Sequence, residues 1–131
     1  MKQTLLVSVG KIGDKRFLLT ILKKLSAYTD VIIYATNKTH RFLKENSVMS
    51  LLIFKISEIG KTPNIADFLP EKMFDIIINI PTRITIREGS EYTDGKLIRK
   101  TAVSLGIPLV TDPEVAVMTI EKIIKKQDEN K

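Results

Sequence analysis

Cationic, hydroxyl and amide side chains follow the apolar runs of this sequence, and their types indicate one chemistry. These residues are Lys15, Thr36, Thr39, Lys55 and Asn79. Each carries a hydrogen-bond donor, and a donor bound to an ionised oxygen makes a stronger bond than one bound to a neutral oxygen. The residue types therefore predict a binding site for a phosphate-bearing small molecule.

The spacing of Thr36 and Thr39 fits the first turn of a helix. Two hydroxyls three residues apart, together with the unpaired backbone N–H groups of that turn, can point at one phosphate. A helix N-cap explains either threonine equally well. Asn79 is equally consistent with ligand binding and with support of a loop. Lys15 alone is the commoner solvated lysine, whereas Lys55 directly follows an apolar run and indicates function.

Further polar residues near the ends of the runs extend the candidate site. They are Lys11, Lys38, Arg83, Arg87 and Thr111. The two arginines fall in the long segment between Thr82 and Asp94. A flap that orders on a ligand and a plain surface loop explain this segment equally well. We assign no catalytic residue, no cofactor and no metal ligand, because the chain has no cysteine and one histidine.

Five β-branched runs and the helical patterns between them must position these side chains. The runs are apolar throughout, as strands covered on both faces are, and cover residues 4–9, 31–35, 51–54, 75–79 and 108–110. Helical patterns cover residues 14–28, 64–69 and 94–105, with others beginning near Thr39 and at Pro113, where Asp112 is the expected N-cap. The alternation predicts an α/β fold with a parallel sheet, whose strand-to-helix loops meet at one edge.

Composition limits the class of protein. With 131 residues, we expect one domain over residues 1–126 and a frayed polar tail over 127–131. No apolar run approaches the roughly 20 residues of a membrane span, and no signal peptide is visible, so we expect a cytoplasmic protein. The net charge of +6 fits an anionic ligand, whereas 6% aromatic residues and the lack of a recognition motif argue against nucleic acid.

Five stretches, in this order and spacing, resemble the methylglyoxal-synthase-like (MGS-like) domain, above all the C-terminal allosteric domain of the carbamoyl-phosphate synthetase large subunit. The stretches are LLVSVGKIGDK, YATNKTHRFLKEN, KISEIGKTPNIADFL, DIIINIPT and IRKTAVSLGIPLVT. The resemblance implies a three-layer α/β/α, Rossmann-like fold with a five-stranded parallel sheet. It also implies an allosteric site for a nucleotide monophosphate such as UMP or IMP.

By the same resemblance the phosphate pocket maps onto Lys15, Thr36, Thr39 and Lys55, with Asn79 nearby. The partner would be the catalytic portion of carbamoyl-phosphate synthetase, and relatives often self-associate through this domain. The sequence departs from the family at Asn37-Lys38, where a glycine is common, and at Asp112, where a second threonine often follows Thr111. The loop after Asn79 is also about four residues longer than usual.

The alternative function is that of a methylglyoxal synthase, which eliminates phosphate from dihydroxyacetone phosphate. That reaction requires a carboxylate base beside the substrate. In the matching stretch, residues 59–67, no carboxylate precedes Asp67. We therefore expect a regulatory module of a carbamoyl-phosphate synthase rather than an enzyme in its own right.

Overall fold

The computed structural model describes residues 2–82 and 94–130, which form five parallel strands and the helices between them. The strands are β1 (Gln3–Val9), β2 (Val31–Ala35), β3 (Leu51–Leu52), β4 (Ile76–Ile80) and β5 (Leu109–Val110). They lie in the order β3-β2-β1-β4-β5, and every pairing between them is parallel. The expected α/β class and five-stranded parallel sheet are confirmed.

Helices cover both faces of this sheet. They are α1 (Ile12–Ser26), α2 (Asn37–Glu45), α3 (Ile65–Phe68), α4 (Asp94–Leu105) and α5 (Pro113–Glu129). One core cluster joins α1, α2 and α5 to the sheet through residues such as Leu18, Leu43 and Ile120. The other joins α3 and α4 to the opposite face through Ile65 and Ile98. The layers are therefore α/β/α, as expected.

The alternation of buried side chains in the central strands explains this division. In β1, Leu5 and Val7 pack under α1, whereas Leu6 faces the other layer. Both sets are fully buried, because successive side chains of a strand point to opposite faces. Strands covered on both sides must be apolar throughout, which is why the apolar runs predicted this sheet.

Several element boundaries differ from the sequence predictions. Helix α1 begins at Ile12 rather than Asp14, and its N-cap residue, Lys11, makes no side-chain capping bond. Strand β3 ends at Leu52, and beyond it Phe54 forms an isolated bridge with Asn64. In α4, Leu97 is 43% exposed although it is apolar. These differences arise where the local signal, a capping side chain or a short apolar run, is weak.

The C-terminal helix is longer than expected. Asp112 is its N-cap, as predicted, and accepts a hydrogen bond from the Val115 N–H at 3.0 Å. The expected frayed tail over 127–131 differs from the structure at 127–129, because the helix continues to Glu129 and Gln127 is 5% exposed. Gln127 continues the buried stripe of Ile120 and Ile123, so packing extends the helix despite its polar sequence.

None of the helices within residues 2–82 and 94–130 is long and apolar enough to cross a bilayer. The predicted flap between Thr82 and Asp94, with Arg83 and Arg87, lies outside the described residues.

Candidate anion-binding site

The strand order changes direction at the centre of the sheet, and a cavity lies at this point. From β1 the chain passes to β2 on one side, whereas β4 is followed by β5 on the other. In open α/β sheets the crevice at such a switch, beyond the carboxyl ends of the strands, is where ligands bind. Here it holds a cavity of about 370 Å³. Its polar lining residues are Ser8, Thr36, Lys55, Asn79, Thr82, Asp94 and Arg99.

The floor of the cavity is polar at two central strands. Ser8 of β1 and Asn79 of β4 are register partners, so their side chains lie on the same face of the sheet. Thr36 stands at the N-cap position of α2 but makes no capping bond, and its hydroxyl donates to Ser8 Oγ at 3.0 Å. The interpretation of Thr36 as a simple helix cap is therefore wrong, because its hydroxyl faces the cavity floor.

Lys55 is held at the cavity by the loop that follows β3. Its backbone N–H donates to Glu58 Oε1 at 3.0 Å, and its carbonyl accepts from Asn64 Nδ2 at 2.8 Å. Asn64 also caps α3 by accepting from the Ala66 N–H at 2.8 Å. No carboxylate among the described residues forms an ion pair with the Lys55 ammonium. The loop thus presents a cation whose charge is available to a ligand.

The wall formed by α4 adds a second cation. Arg99 Nη1 donates to Asn79 Oδ1 at 2.7 Å, and both residues line the cavity. Partial burial of the guanidinium lowers the pKa of Arg99 from its ordinary value. An arginine stays protonated even so, because its ordinary pKa lies far above neutral pH. The wall therefore carries a positive charge in a partly desolvated place.

Asp94, the one carboxylate among the described lining residues, is already engaged. Its Oδ1 accepts from the Ser57 N–H at 2.8 Å, and its Oδ2 accepts from the Ser57 hydroxyl at 2.6 Å. These two bonds join the start of α4 to the loop after β3. Because Ser57 bonds both oxygens, the carboxylate stabilises this side of the cavity by tying the start of α4 to the loop.

Gly10 allows the chain after β1 to pass close to the end of β4. Its N–H donates to the Ile80 carbonyl at 2.9 Å. A Cβ atom at this position would lie 2.7 Å from Thr82 Cγ2 and 3.3 Å from the Thr82 backbone nitrogen. Such contacts are too short, so a side chain here would displace Thr82 from the edge of the cavity.

At the start of α2, Lys38 lies close enough to Lys15 of α1 for their positive charges to repel each other. Lys15 of α1 is 8% exposed, although it retains some contact with solvent at its ammonium group. Burial lowers the pKa of Lys15, and the positive charge of Lys38 lowers it further. No acidic partner of Lys15 is found among the described residues. The arrangement leaves a local excess of positive charge at a helix N-terminus, which itself favours anions.

Thr39 contacts the end of β1 rather than the cavity. Its hydroxyl accepts from the Val9 N–H at 3.1 Å and donates to the Val9 carbonyl at 3.3 Å. The residue is 2% exposed. Since its single hydroxyl proton is used, Thr39 fixes the amino end of α2 against the sheet in this structure.

Comparison with known proteins identifies the family. The family described as the MGS-like domain matches residues 17–111, which is most of the chain. The chain belongs to the MGS-like domain family. Among solved structures, the crystal structure of ForH superposes on 99% of this MGS-like domain and 82% of its own chain, with a TM-score of 0.55 and 14% identity. At that identity the likeness shows the fold alone.

Curated relatives of this MGS-like domain are carbamoyl phosphate synthase sequences. The C-terminal section of the large chain from Methanocaldococcus jannaschii is 34% identical over 113 residues, covering 84% of this chain and 17% of the relative. The corresponding section from Methanopyrus kandleri is 32% identical, covering 94% and 21%. Multifunctional protein ura1 of Schizosaccharomyces pombe is 28% identical, covering 97% and 6%. The chain therefore spans between 6% and 21% of the length of these three relatives.

The structure divides the predicted site residues of the MGS-like domain into groups. Thr36, Lys55 and Asn79 line the cavity. Lys15 and Thr39 do not line it, because they project from α1 and α2, which pack on the other face of the sheet. The additional candidates Lys11, Lys38 and Thr111 are exposed. Arg83 and Arg87 lie outside the described residues.

Sequence reasoning missed three lining residues, Ser8, Asp94 and Arg99. Ser8 lies within an apolar strand and Arg99 within an amphipathic helix, so neither follows a strand directly. Asp94 was taken only as the beginning of a helix. One usable signal existed for Ser8, since a lone hydroxyl in a strand buried on both faces requires a polar neighbour.

Proposed function

We propose that this MGS-like domain is a regulatory module of a carbamoyl phosphate synthase and binds a phosphate-bearing metabolite in the switch-point cavity. The names of the curated relatives support the first part, since they are carbamoyl phosphate synthase large chains or their C-terminal sections. The chemistry of the cavity supports the second part.

The observation that carries the proposal is the imbalance between donors and acceptors in the cavity. Lys55, Arg99 and Asn79 supply donors, and the first two carry positive charge. Asp94 is the one carboxylate in the described lining, it is bonded to Ser57, and the two cations outnumber it. A ligand that satisfies this cavity must therefore bring acceptors, and a negative charge on them would strengthen each bond.

The amino end of α2 is the expected place for the phosphate. The helix has nine residues, and its first recorded intrahelical bond runs from the His40 N–H to the Thr36 carbonyl, so earlier N–H groups have no intrahelical acceptor. Thr36 is the N-cap residue of this helix and lines the cavity together with Lys55, and Lys38 in the first turn lies near enough to Lys15 to lower its pKa. A phosphate here would neutralise charges that are otherwise unbalanced.

We propose a binding role rather than a catalytic one. A general base must hold a free oxygen or nitrogen toward the proton it takes. Asp94, the carboxylate in the described lining, is turned toward Ser57, whose N–H and hydroxyl both donate to it. The synthetase reaction would then be performed by the catalytic portion of the enzyme, which is the proposed partner. Turnover of dihydroxyacetone phosphate by the purified chain would contradict this assignment.

Calorimetric titration with UMP, IMP and inorganic phosphate tests the binding proposal. Thr36→Ala and Lys55→Ala should each weaken the binding of these ligands by about 1–3 kcal/mol, the usual cost of a lost charge-assisted contact. Lys44→Ala is the matched control, because Lys44 is an exposed lysine in the last turn of α2. The proposal would be overturned if none of the three ligands bound, or if Lys44→Ala weakened their binding as much as Thr36→Ala and Lys55→Ala do.

A further inference from the structure

The contact between Arg99 and Asn79 fixes the orientation of an amide in the cavity. A guanidinium has N–H donors and no acceptor, so the amide atom that faces Arg99 Nη1 at 2.7 Å must be the oxygen of Asn79. The amide nitrogen, Nδ2, is then directed away from Arg99. The two ends of this asparagine are therefore distinguishable on chemical grounds alone.

The amide nitrogen opens toward the cavity. Asn79 is 3% exposed, and no bond from its Nδ2 to another described residue is found. Yet the described residues contain no fully buried side-chain nitrogen or oxygen without a partner, so Nδ2 must retain a small contact with solvent. Since Asn79 lines the cavity, that contact is made there.

Arg99 adds further donors to the same wall. One of its five N–H groups is used by Asn79, and no carboxylate among the described residues pairs with the guanidinium. Gly95, one turn earlier, lets the pair pack closely against α4: a Cβ there would lie 3.1 Å from Arg99 Nη1 and 3.6 Å from Asn79 Oδ1. The guanidinium of Arg99 and the Nδ2 group of Asn79 thus lie side by side in the cavity lining.

We propose that Arg99 and Asn79 form a donor-only subsite that binds a carbonyl or carboxylate oxygen of the ligand, separate from its phosphate. This inference rests on the proposed function, because it assigns a second part of the same ligand. Arg99 acts in two ways: it donates to the ligand oxygen and it keeps the Asn79 Nδ2 group turned toward that oxygen. The subsite therefore selects among phosphate esters by what they carry besides phosphate.

Three probes separate this subsite from phosphate binding. UMP and IMP carry a base carbonyl, whereas ribose 5-phosphate has the sugar and the phosphate without a base. The wild-type chain should bind at least one of the nucleotides about tenfold or more tightly than ribose 5-phosphate, since one good charge-assisted contact is worth about that factor. Titration calorimetry of each probe at one pH and salt concentration gives the ratio.

The decisive variant is Arg99→Met, which keeps the length of the side chain and removes its charge and donors. It should abolish the nucleotide preference, because it weakens the binding of the nucleotides more than it weakens the binding of ribose 5-phosphate, which loses only the attraction of one charge. Lys100→Met is the control, because Lys100 is exposed on the same helix and does not line the cavity. Arg99→Lys should restore part of the preference, since it restores the charge but not the planar donor group.

Asn79→Asp provides a second, independent variant if Arg99→Met fails to fold. It replaces the Nδ2 donor by a carboxylate oxygen that still pairs with Arg99. The added negative charge should weaken the binding of all three probes, and of the nucleotides most, so the nucleotide preference should be lost. Equal weakening of all three probes by Arg99→Met, or a wild-type chain without a nucleotide preference, would overturn the subsite alone. A wild-type chain that binds none of the probes would overturn the proposed function and the subsite together.

Discussion

Lys15 is a cation that the fold largely buries, and no acid among the described residues pairs with it. The residue is 8% exposed, its ammonium keeps some contact with solvent, and the positive charge of Lys38 repels it. A buried charge without a partner costs stability, because solvation is lost and nothing replaces it. Functional sites commonly retain such costs, and a bound anion would remove this one.

Replacement of Lys15 should therefore separate stability from binding. We expect Lys15→Met to raise the free energy of unfolding of the ligand-free chain by about 0.5–1 kcal/mol and to weaken phosphate-ester binding. Arg16→Met is the control, because Arg16 is the exposed neighbour of Lys15 on α1. Chemical denaturation with and without UMP measures both effects. A destabilised Lys15→Met variant that still binds UMP normally would contradict the interpretation.

The stability gained by Lys15→Met should depend on pH in a defined direction. The pKa of folded Lys15 is lowered from its ordinary value of 10.5, first by burial and then by Lys38, so the folded state releases this proton before the unfolded state does. The destabilisation caused by charged Lys15 is complete below the lowered pKa of the folded state, and it vanishes above the ordinary pKa of lysine. The stability difference between wild type and Lys15→Met should thus shrink as the pH rises from 7 toward 10.5.

At the scale of elements, the amino end of α2 depends on a few polar contacts. The helix buries Thr39 and Leu43, so its apolar anchor is small. Thr39 compensates by bonding both backbone groups of Val9, and His40 Nδ1 lies 2.7 Å from Ser50 Oγ. The position of the N–H groups proposed to bind phosphate is therefore set by hydroxyl contacts as much as by packing.

Substitution of Thr39 tests this dependence. Thr39→Val keeps the shape but leaves the buried Val9 N–H without an acceptor, which should cost about 1–3 kcal/mol of stability. Thr39→Ser keeps the hydroxyl and should cost about 1 kcal/mol or less, through the lost methyl group. Urea denaturation compares the two variants. Equal stability of Thr39→Val and wild type would show that the bonds to Val9 contribute nothing.

Local sequence patterns were sufficient to predict the sheet, but they did not predict which residues line the cavity. Uniformly apolar runs predicted five parallel strands, and Asp112-Pro113 predicted the start of α5, because both signals act within a few residues. Which residues line the cavity depends instead on where the tertiary fold places them. Lys15 and Thr39 follow strands as Lys55 does, yet they lie on the other face, and Arg99 reaches the cavity from the middle of a helix. The spacing of residues in the sequence does not show which side chains the fold brings together at the cavity.

At the scale of the molecule, the cavity lies between two parts of the chain that the sheet joins. Thr36 and the Lys55 loop follow β2 and β3, whereas Asn79 and Arg99 belong to β4 and the helix after it. Ser57 and Asp94 provide one direct link across the cavity. A ligand that touches both sides would act as a second link, and binding to the folded state alone stabilises it by mass action.

Hydrogen exchange should reveal this second link. We expect saturating UMP to slow amide exchange in residues 54–64 and in the first turn of α4 together, while the C-terminal half of α5, on the opposite edge, changes little.

Asp94→Ala removes both bonds to Ser57, so it should speed exchange at these two places in the ligand-free chain, and UMP should restore much of the protection. Ser57→Ala, which keeps the bond from the Ser57 N–H to Asp94, should show a smaller effect. Protection confined to one side of the cavity would mean that the ligand does not join the two parts.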